Sequence, residues 1–516
     1  MSYGFVIDNR TCIGCHACST ACKSENDVPV GINRTWVKYT EVGHYPEVKR
    51  GFQVTRCNHC ENPPCVSICP TESMFKRDNG IVDFDPEVCI GCKGCIQACP
   101  YDAIDIDPVT SSASKCNFCA HRTEVGLEPA CVVVCPTHSI IAGDMKDKEA
   151  EISKVLKKNP VSVRKPEQGT SPKLFYIEGD AVSLTPTSTT LGQDFMWSER
   201  ISEQNSCGPM EGQNVIASTH MTQVAYNAQH KIHWHWPVPA YFVTKGIGTG
   251  LFMLLSLFFG LGWLPFNREA ALAITGSSLF FILATTALLV LDLEHPKRFL
   301  YIIFRPQWKS WLTRGAFILI AFSTLTGLWF TLEFFYWFRE VPSPIWLQSS
   351  RPWVYFLGFF LGTASSVYTA FLFGQAEGRD LWQSPLFPFH LIIHSFMSGS
   401  AFILMLSPFI PLGPAFAFSM KNIMMVTLLI DLLLIWSEFS MSHASEVATR
   451  AAKDITQGSF QNLFWVGAIF IGHCLPLLLG AGRLPYFEFV GPLGLIIGLF
   501  CYEYAYVVAP QKVPNS

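Results

Sequence analysis

The chain has 516 residues, 49% of them hydrophobic, and a formal net charge of -3, so it is long enough for two or more domains and carries no charge that would draw it to a polyanion. Its Lys and Arg residues form no stripe or basic arm able to neutralise a row of phosphates, and nucleic acid is not an expected partner. All but two of the nineteen cysteines lie before residue 210, whereas long runs rich in Phe, Leu, Ile and Trp fill 241–508, so a soluble module is joined to a membrane module.

The N-terminal MSYGFVIDNRTCIGC has no basic start, apolar core or small-residue cleavage site, and no secretory signal is expected there. Its first motif is Cys12, Cys15, Cys18 and Cys22, spaced CxxCxxCxxxC. Next come Cys57, Cys60, Cys65 and Cys69, followed by Pro70. The third module, CIGCKGCIQACP, holds Cys89, Cys92, Cys95 and Cys99, and the fourth holds Cys116, Cys119, Cys131 and Cys135 before Pro136.

Three thiolates at CxxCxxC spacing wrap one corner of a cubic iron–sulfur cluster, and in two-cluster ferredoxins the fourth cysteine ligates the other cluster. Four complete quartets therefore predict paired modules and four [4Fe-4S] clusters. Zinc is the competing reading of CxxC pairs, but zinc sites separate two pairs by a longer insert and have no need of Cys-Pro. Disulfides fit worse, because repeated adjacent CxxC pairs are not how a secreted framework is laid out.

Over roughly residues 3–180 the chain resembles the four-cluster iron–sulfur subunits of molybdopterin oxidoreductases such as dimethyl sulfoxide reductase, polysulfide reductase and formate dehydrogenase. PTHSIIAGDMKDKEAEISKVLKK and GTSPKLFYI look like that family's closing strand, helix and strand. The resemblance implies that the first module pairs with the fourth and the second with the third. Cys12, Cys15, Cys18 and Cys135 would then hold one cluster, and Cys22, Cys116, Cys119 and Cys131 its partner. Cys57, Cys60, Cys65 and Cys99 would hold a third, and Cys69, Cys89, Cys92 and Cys95 the fourth.

Residues 181–231 are rich in Ser, Thr, Gln and Asn with no sustained period, and read as a linker between a domain at 1–180 and one at 232–516. Cys207 has no partner at ligand spacing and is read as a bystander. In HKIHWHWP, His230, His233 and His235 are read as wet neighbours of Trp residues at a membrane surface rather than as a metal cluster.

About 20 apolar residues cross a bilayer, and spans are expected near 240–263, 269–292, 312–338, 352–374, 386–409, 416–439, 460–480 and 486–508. The fold expected is an α+β ferredoxin-like double dicluster domain followed by an all-α eight-helix transmembrane bundle. Loops on the cysteine side carry Lys297, Arg298, Arg305, Lys309, Arg314, Arg379, Arg450, Lys453 and Lys512, against Arg268, Arg339, Arg351, Lys421 and Arg483 opposite. That excess favours a cytoplasmic iron–sulfur domain on a prokaryotic cytoplasmic membrane.

Ionisable groups inside spans are costly and mark function. Here they are Lys245, Asp292, Glu294, Glu333, Asp431, Glu438 and Glu503, with His390, His394 and His473; Glu333 and Glu503 are read as helix-end residues in the headgroup layer. His390 and His394 share a helical face, but haem is not expected, since haem usually takes histidines from facing helices. LDLEHPKRFLYIIFRPQWKSWLTRG, WHWPVPAYFVTKGIGTG and YTAFLFGQAEGRDLW resemble the NrfD-like membrane anchors of polysulfide reductase, which bind quinone. By that resemblance Tyr241, Glu294 and Tyr368 fall on quinone-site positions, with Lys245, Asp292 and His295 secondary. Tyr241 stands where the family pattern has His.

The function expected is electron transfer between a separate catalytic subunit, of molybdopterin type, and menaquinone or ubiquinone in the lipid bilayer. No P-loop or GxGxxG stretch points to a nucleotide. Two other readings are a subunit of a proton-translocating complex resembling alternative complex III, and a simple membrane anchor for a ferredoxin.

Overall fold

The computed structural model describes residues 1–44, 47–179, 181–185, 223–226, 231–410, 412–482 and 487–516. They form two compact units, Met1–Lys231 with Ala376–Arg379 and Lys512–Ser516, and Ile232–Gln375 with Asp380–Gln511. Cys207 and His230 lie outside the described residues.

In the first unit, β-branched and aromatic residues favour strands, and YGFVID and LFYI supply two neighbours of a four-stranded sheet. Its order is Ile140–Asp144, Tyr3–Asp8, Leu174–Ile177, Val161–Ser162, with Tyr3–Asp8 parallel to Leu174–Ile177 and antiparallel to Ile140–Asp144. Helix Glu151–Lys158 buries Ile152 with Val6, Ile141 and Ile177. A strand, helix and strand thus stand where the closing elements were expected. A long hairpin pairs Thr35–His44 with Glu47–Arg56, and Gln223–Tyr226, inside the segment read as linker, adds to its edge.

Each cysteine module follows one local plan. Its third cysteine sits in a short helix, Ala17–Glu25, Pro64–Ile68, Gly94–Ala98 or Ala130–Val133. The residue before its second cysteine has left-handed backbone: Gly14 (φ 67), His59 (φ 43), Gly91 (φ 70) and Phe118 (φ 62). Glycine adopts this without steric cost, whereas a side chain there costs on the order of 1–3 kcal/mol. His59 and Phe118 tolerate it because both are buried and face each other edge to face, 5.4 Å between ring centroids.

Among the described residues eight helices are long and apolar enough to cross a membrane: Pro237–Gly260, Arg268–Leu291, Trp311–Phe338, Ile345–Gly374, Phe387–Leu406, Pro414–Ser440, Leu463–Ala481 and Phe489–Lys512. The first is the most enclosed and packs against the second, fourth and fifth. Small residues permit that approach; a side chain at Gly250 would overlap the backbone of Ser395 and Gly399 on the fifth helix. The first helix ends in a π-helical turn, Ser256–Gly260, and the seventh begins with a π-helical stretch, Leu463–Cys474.

Three features depart from the sequence reading. Trp234, expected at a membrane surface, is buried and stacks on Trp382 at 5.5 Å, while Trp236 is exposed. Glu503, expected in the headgroup layer, is buried among polar side chains, and Glu333 is buried against Arg351 at 2.8 Å. A polar helix, Glu446–Thr456, was not anticipated, although Ser445 caps it and apolar residues recur at Val447, Ala448, Ala451, Ala452 and Ile455.

Candidate functional site

Helix Ala17–Glu25 packs on Ala130–Val133, and Pro64–Ile68 on Gly94–Ala98, so cysteines far apart in sequence become neighbours. Cys12 lies within electrostatic range of Cys15 and Cys135, and Cys18 of Cys12. Cys22 is in range of Cys119 and Cys131, and Cys116 of Cys22 and Cys131. Cys65 has Cys57, Cys60 and Cys99 around it, and Cys95 has Cys69, Cys89 and Cys92. The quartets also lie within electrostatic range of one another: Cys18 of Cys131, Cys116 of Cys57, and Cys95 of Cys65.

Burial pushes the Cys18 and Cys99 thiols up to about 11 and those of Cys22 and Cys92 to about 12, because the thiolate loses its water. Cys135 differs. Burial pushes it up too, but donors at Ser139, Ile140 and Thr137 outweigh that and hold it below the usual thiol range.

Sequence reasoning missed the polar groups that serve the sulfurs. Arg56, buried, donates to Cys131 Sγ at 2.9 Å, stacks over Phe5 and lies in range of Cys18 and Cys116. It stands directly before Cys57 in TRCNHC, so its position beside a module was visible. Asn26 Nδ2 lies 3.7 Å from Cys119 Sγ, and the backbone N–H groups of Met74 and Ser139 point at Cys69 and Cys135 at 3.4 and 3.3 Å. Sixteen sulfurs in four groups, with cationic and N–H donors beside them, fit thiolate-ligated iron, whose positive charge lets a buried thiol ionise.

In the second unit the first and fourth helices bring Tyr241, Lys245 and Tyr368 together. Lys245, 1% exposed, donates to Thr369 Oγ1 and lies 4.6 Å from the Tyr368 ring centroid and 5.8 Å from that of Tyr241. Thr369 is also within hydrogen-bond reach of both tyrosines. It was overlooked, though adjacent to Tyr368. Of the acidic residues ending the second helix, Asp292 is half-buried and in electrostatic range of Tyr241, while Glu294 is exposed and His295 half-buried.

A second polar group lies among the fifth to eighth helices. Asp431 Oδ1 meets His390 Nδ1 and His394 Nε2, both at 3.1 Å, and Asp431 Oδ2 meets His473 Nε2 at 2.9 Å. His394 Nδ1 meets Glu503 Oε1 at 2.9 Å. Glu438 stands apart from these bonds and accepts from Ser384 at 2.6 Å.

Comparison with known proteins divides the polypeptide in the same way. The family described as 4Fe-4S dicluster domain matches residues 48–145, and the one described as polysulphide reductase, NrfD, matches 225–485. Among curated relatives, Protein NrfC of Escherichia coli is 43% identical over 178 residues, 34% of this chain and 80% of that protein. The iron–sulfur subunit ArrB of the arsenate respiratory reductase of a Shewanella species is 34% identical over 230 residues, 35% of this chain and 98% of that protein. The B component of the polysulfide reductase of Wolinella succinogenes is 45% identical over 178 residues, 34% of this chain and 93% of that protein.

Proposed function

The protein belongs to the polysulphide reductase NrfD family, joined in one polypeptide to a 4Fe-4S dicluster domain, and from that premise we propose that it carries electrons between a separate catalytic subunit and membrane quinone. It is a multi-pass membrane protein and an iron–sulfur subunit of a reductase complex. The catalytic partner is of molybdopterin type. The membrane is the prokaryotic cytoplasmic membrane, with the iron–sulfur domain on its cytoplasmic side.

The four quartets would each hold one [4Fe-4S] cluster: Cys12, Cys15, Cys18 and Cys135; Cys22, Cys116, Cys119 and Cys131; Cys57, Cys60, Cys65 and Cys99; and Cys69, Cys89, Cys92 and Cys95. When bound, such clusters supply one-electron carriers whose potentials span roughly -700 to +450 mV. Arg56 and the N–H donors around the sulfurs stabilise the more negative state of the sites they touch.

A quinone exchanges two electrons and two protons with its quinol. Tyr241, Tyr368 and Lys245 would bind its carbonyl oxygens, and Lys245, held by Thr369, is a proton donor at the oxygen it touches. Asp292 exchanges protons beside Tyr241, and Glu294 and His295, nearer the surface, link that exchange to water. The observation that carries this reading is the buried amine of Lys245 flanked by two tyrosines. A simple anchor has no use for it, since an ionisable group buried inside a span is costly.

The test is to add a quinol anaerobically to the full-length protein in lipid and follow iron–sulfur absorbance. Bleaching that a quinone-site inhibitor blocks is expected, with about sixteen irons bound per polypeptide. No bleaching in a fully loaded protein would overturn the proposal.

A further inference from the structure

In the proposed pairing Cys99 is the cysteine that the third module lends to the second, and the turn that follows it is held by distant parts of the first unit. Pro100 brings no N–H. The backbone N–H groups of Tyr101 and Ala103 lie within hydrogen-bond reach of the Cys99 sulfur. Asp102, between them, has left-handed backbone (φ 48), a strained conformation for a residue with a side chain.

Two segments late in the chain hold that turn, and both belong to the first unit: Ala376–Arg379 and Lys512–Ser516. Arg379, 1% exposed, donates from Nε to Gln97 Oε1 at 2.9 Å and from Nη1 to the Val513 carbonyl at 3.1 Å, and pairs with Asp102 Oδ1 at 3.5 Å. The Asn515 N–H donates to Asp102 Oδ2 at 2.6 Å. Both oxygens of the Asp102 carboxylate are thus held.

Asn515 is itself fixed on every side. Its Nδ2 donates to the Gly378 carbonyl, its Oδ1 accepts from Lys165 Nζ and its carbonyl accepts from Arg164 Nη2, each at 2.6 Å. Gly378 donates its N–H to the Gln97 carbonyl at 3.1 Å, and a Cβ there would stand 2.6 Å from the carbonyl oxygens of Cys99 and Gln97. A change at Arg379 or Asn515 therefore reaches the backbone on both sides of Cys99.

We propose that Arg379 and Asn515 are positioning residues that clamp Asp102 in its left-handed turn, aim two N–H groups at the Cys99 sulfur and so set the reduction potential of the cluster that Cys57, Cys60, Cys65 and Cys99 would hold. The inference rests on the four-cluster reading. Hydrogen bonds to a ligating sulfur stabilise the more negative, reduced state of a cluster. Loosening the clamp turns those donors away and makes that one cluster harder to reduce, while the other three quartets keep their own donors.

The test is a redox titration followed by electron paramagnetic resonance, on the iron-loaded full-length protein in lipid. In Arg379→Met one midpoint of the four, the one that Cys99→Ser also moves, is expected to fall by a tenfold change in the reduction equilibrium, about 59 mV for one electron. Asn515→Ala is expected to move the same midpoint in the same direction. Iron content and the other three midpoints should stay at wild-type values, which would show that the unit is folded. An unchanged midpoint in either variant, or a shift of all four, would overturn the proposal.

Asp102→Gly separates positioning from plain charge. Glycine takes left-handed backbone without strain, so in that background Arg379→Met has no strained turn to release and is expected to leave the midpoint where Asp102→Gly puts it. An equal fall in both backgrounds would assign the effect to the guanidinium charge and overturn the clamp. Wild-type protein with fewer than four clusters would fail the four-cluster reading before any variant is made, and this inference would fail with it.

Discussion

The two units build their chemistry in opposite ways. In the first, ligand-type residues come in bursts of four within about a dozen to twenty positions, and short helices only have to bring two bursts together. In the second, Lys245, Tyr368, Asp431, His473 and Glu503 come from five different helices. A cluster site needs several ligands of one kind around one point, which local spacing provides. A site of mixed groups needs single residues of different kinds, which only packing provides.

Removing iron should break this contrast most visibly. With iron–sulfur clusters holding the quartets as proposed, chelation under anaerobic conditions is expected to abolish the first unit's cooperative unfolding while the second unit keeps its helices. Far-UV circular dichroism with limited proteolysis separates the two. Equal loss of structure in both would mean that the units do not fold by separate means.

A smaller effect is expected at the left-handed positions. Phe118→Ala removes a ring that packs 4.2 Å from Phe5 and 5.4 Å from Tyr3 and His59 while keeping the unfavourable backbone, and is expected to cost about 3–5 kcal/mol in chemical denaturation. Phe118→Gly relieves the strain and should recover on the order of 1 kcal/mol of that loss. Recovery of nothing would mean that the backbone there is unstrained.

The smallest effect is a slope with pH. Burial, reinforced by Arg164, lowers the ammonium of Lys38 from 10.5 to about 7. A base with a lowered folded value binds its proton more readily when unfolded, so the first unit gains stability as pH rises from about 7 toward 10.5. Lys38→Met is expected to flatten that rise in the thermal midpoint of the iron-loaded protein, whose ligated thiolates do not titrate there. An unchanged slope would assign it to other groups.

Much of this was legible. The sixteen cysteines and their spacing are explicit in the sequence, and the eight apolar runs match eight helices among the described residues, close to their expected bounds. Gly14 and Gly91 hinted at left-handed backbone, but His59 and Phe118 gave no such signal, because burial rather than residue type sustains them there. His390 and His394 were visible as a shared face, yet their partners Asp431 and Glu503 sit on other helices, beyond what periodicity reports. Glu503 was misplaced for that reason: nearness to a helix end suggests headgroups, and only the packed bundle encloses it. Asp292 and Glu294 are two residues apart, so sequence named both, and it took the turn at the end of the second helix to bury one more than the other.

The central claim is that one polypeptide joins a quinone pocket in its membrane unit to iron–sulfur clusters in its cysteine unit. Rapid anaerobic mixing of Lys245→Met, loaded with iron and embedded in lipid, with a quinol and separately with dithionite tests it most directly. Quinol-driven bleaching is expected to slow on the order of a hundredfold while dithionite bleaches the variant at the wild-type rate. Bleaching by quinol at the wild-type rate would contradict the claim.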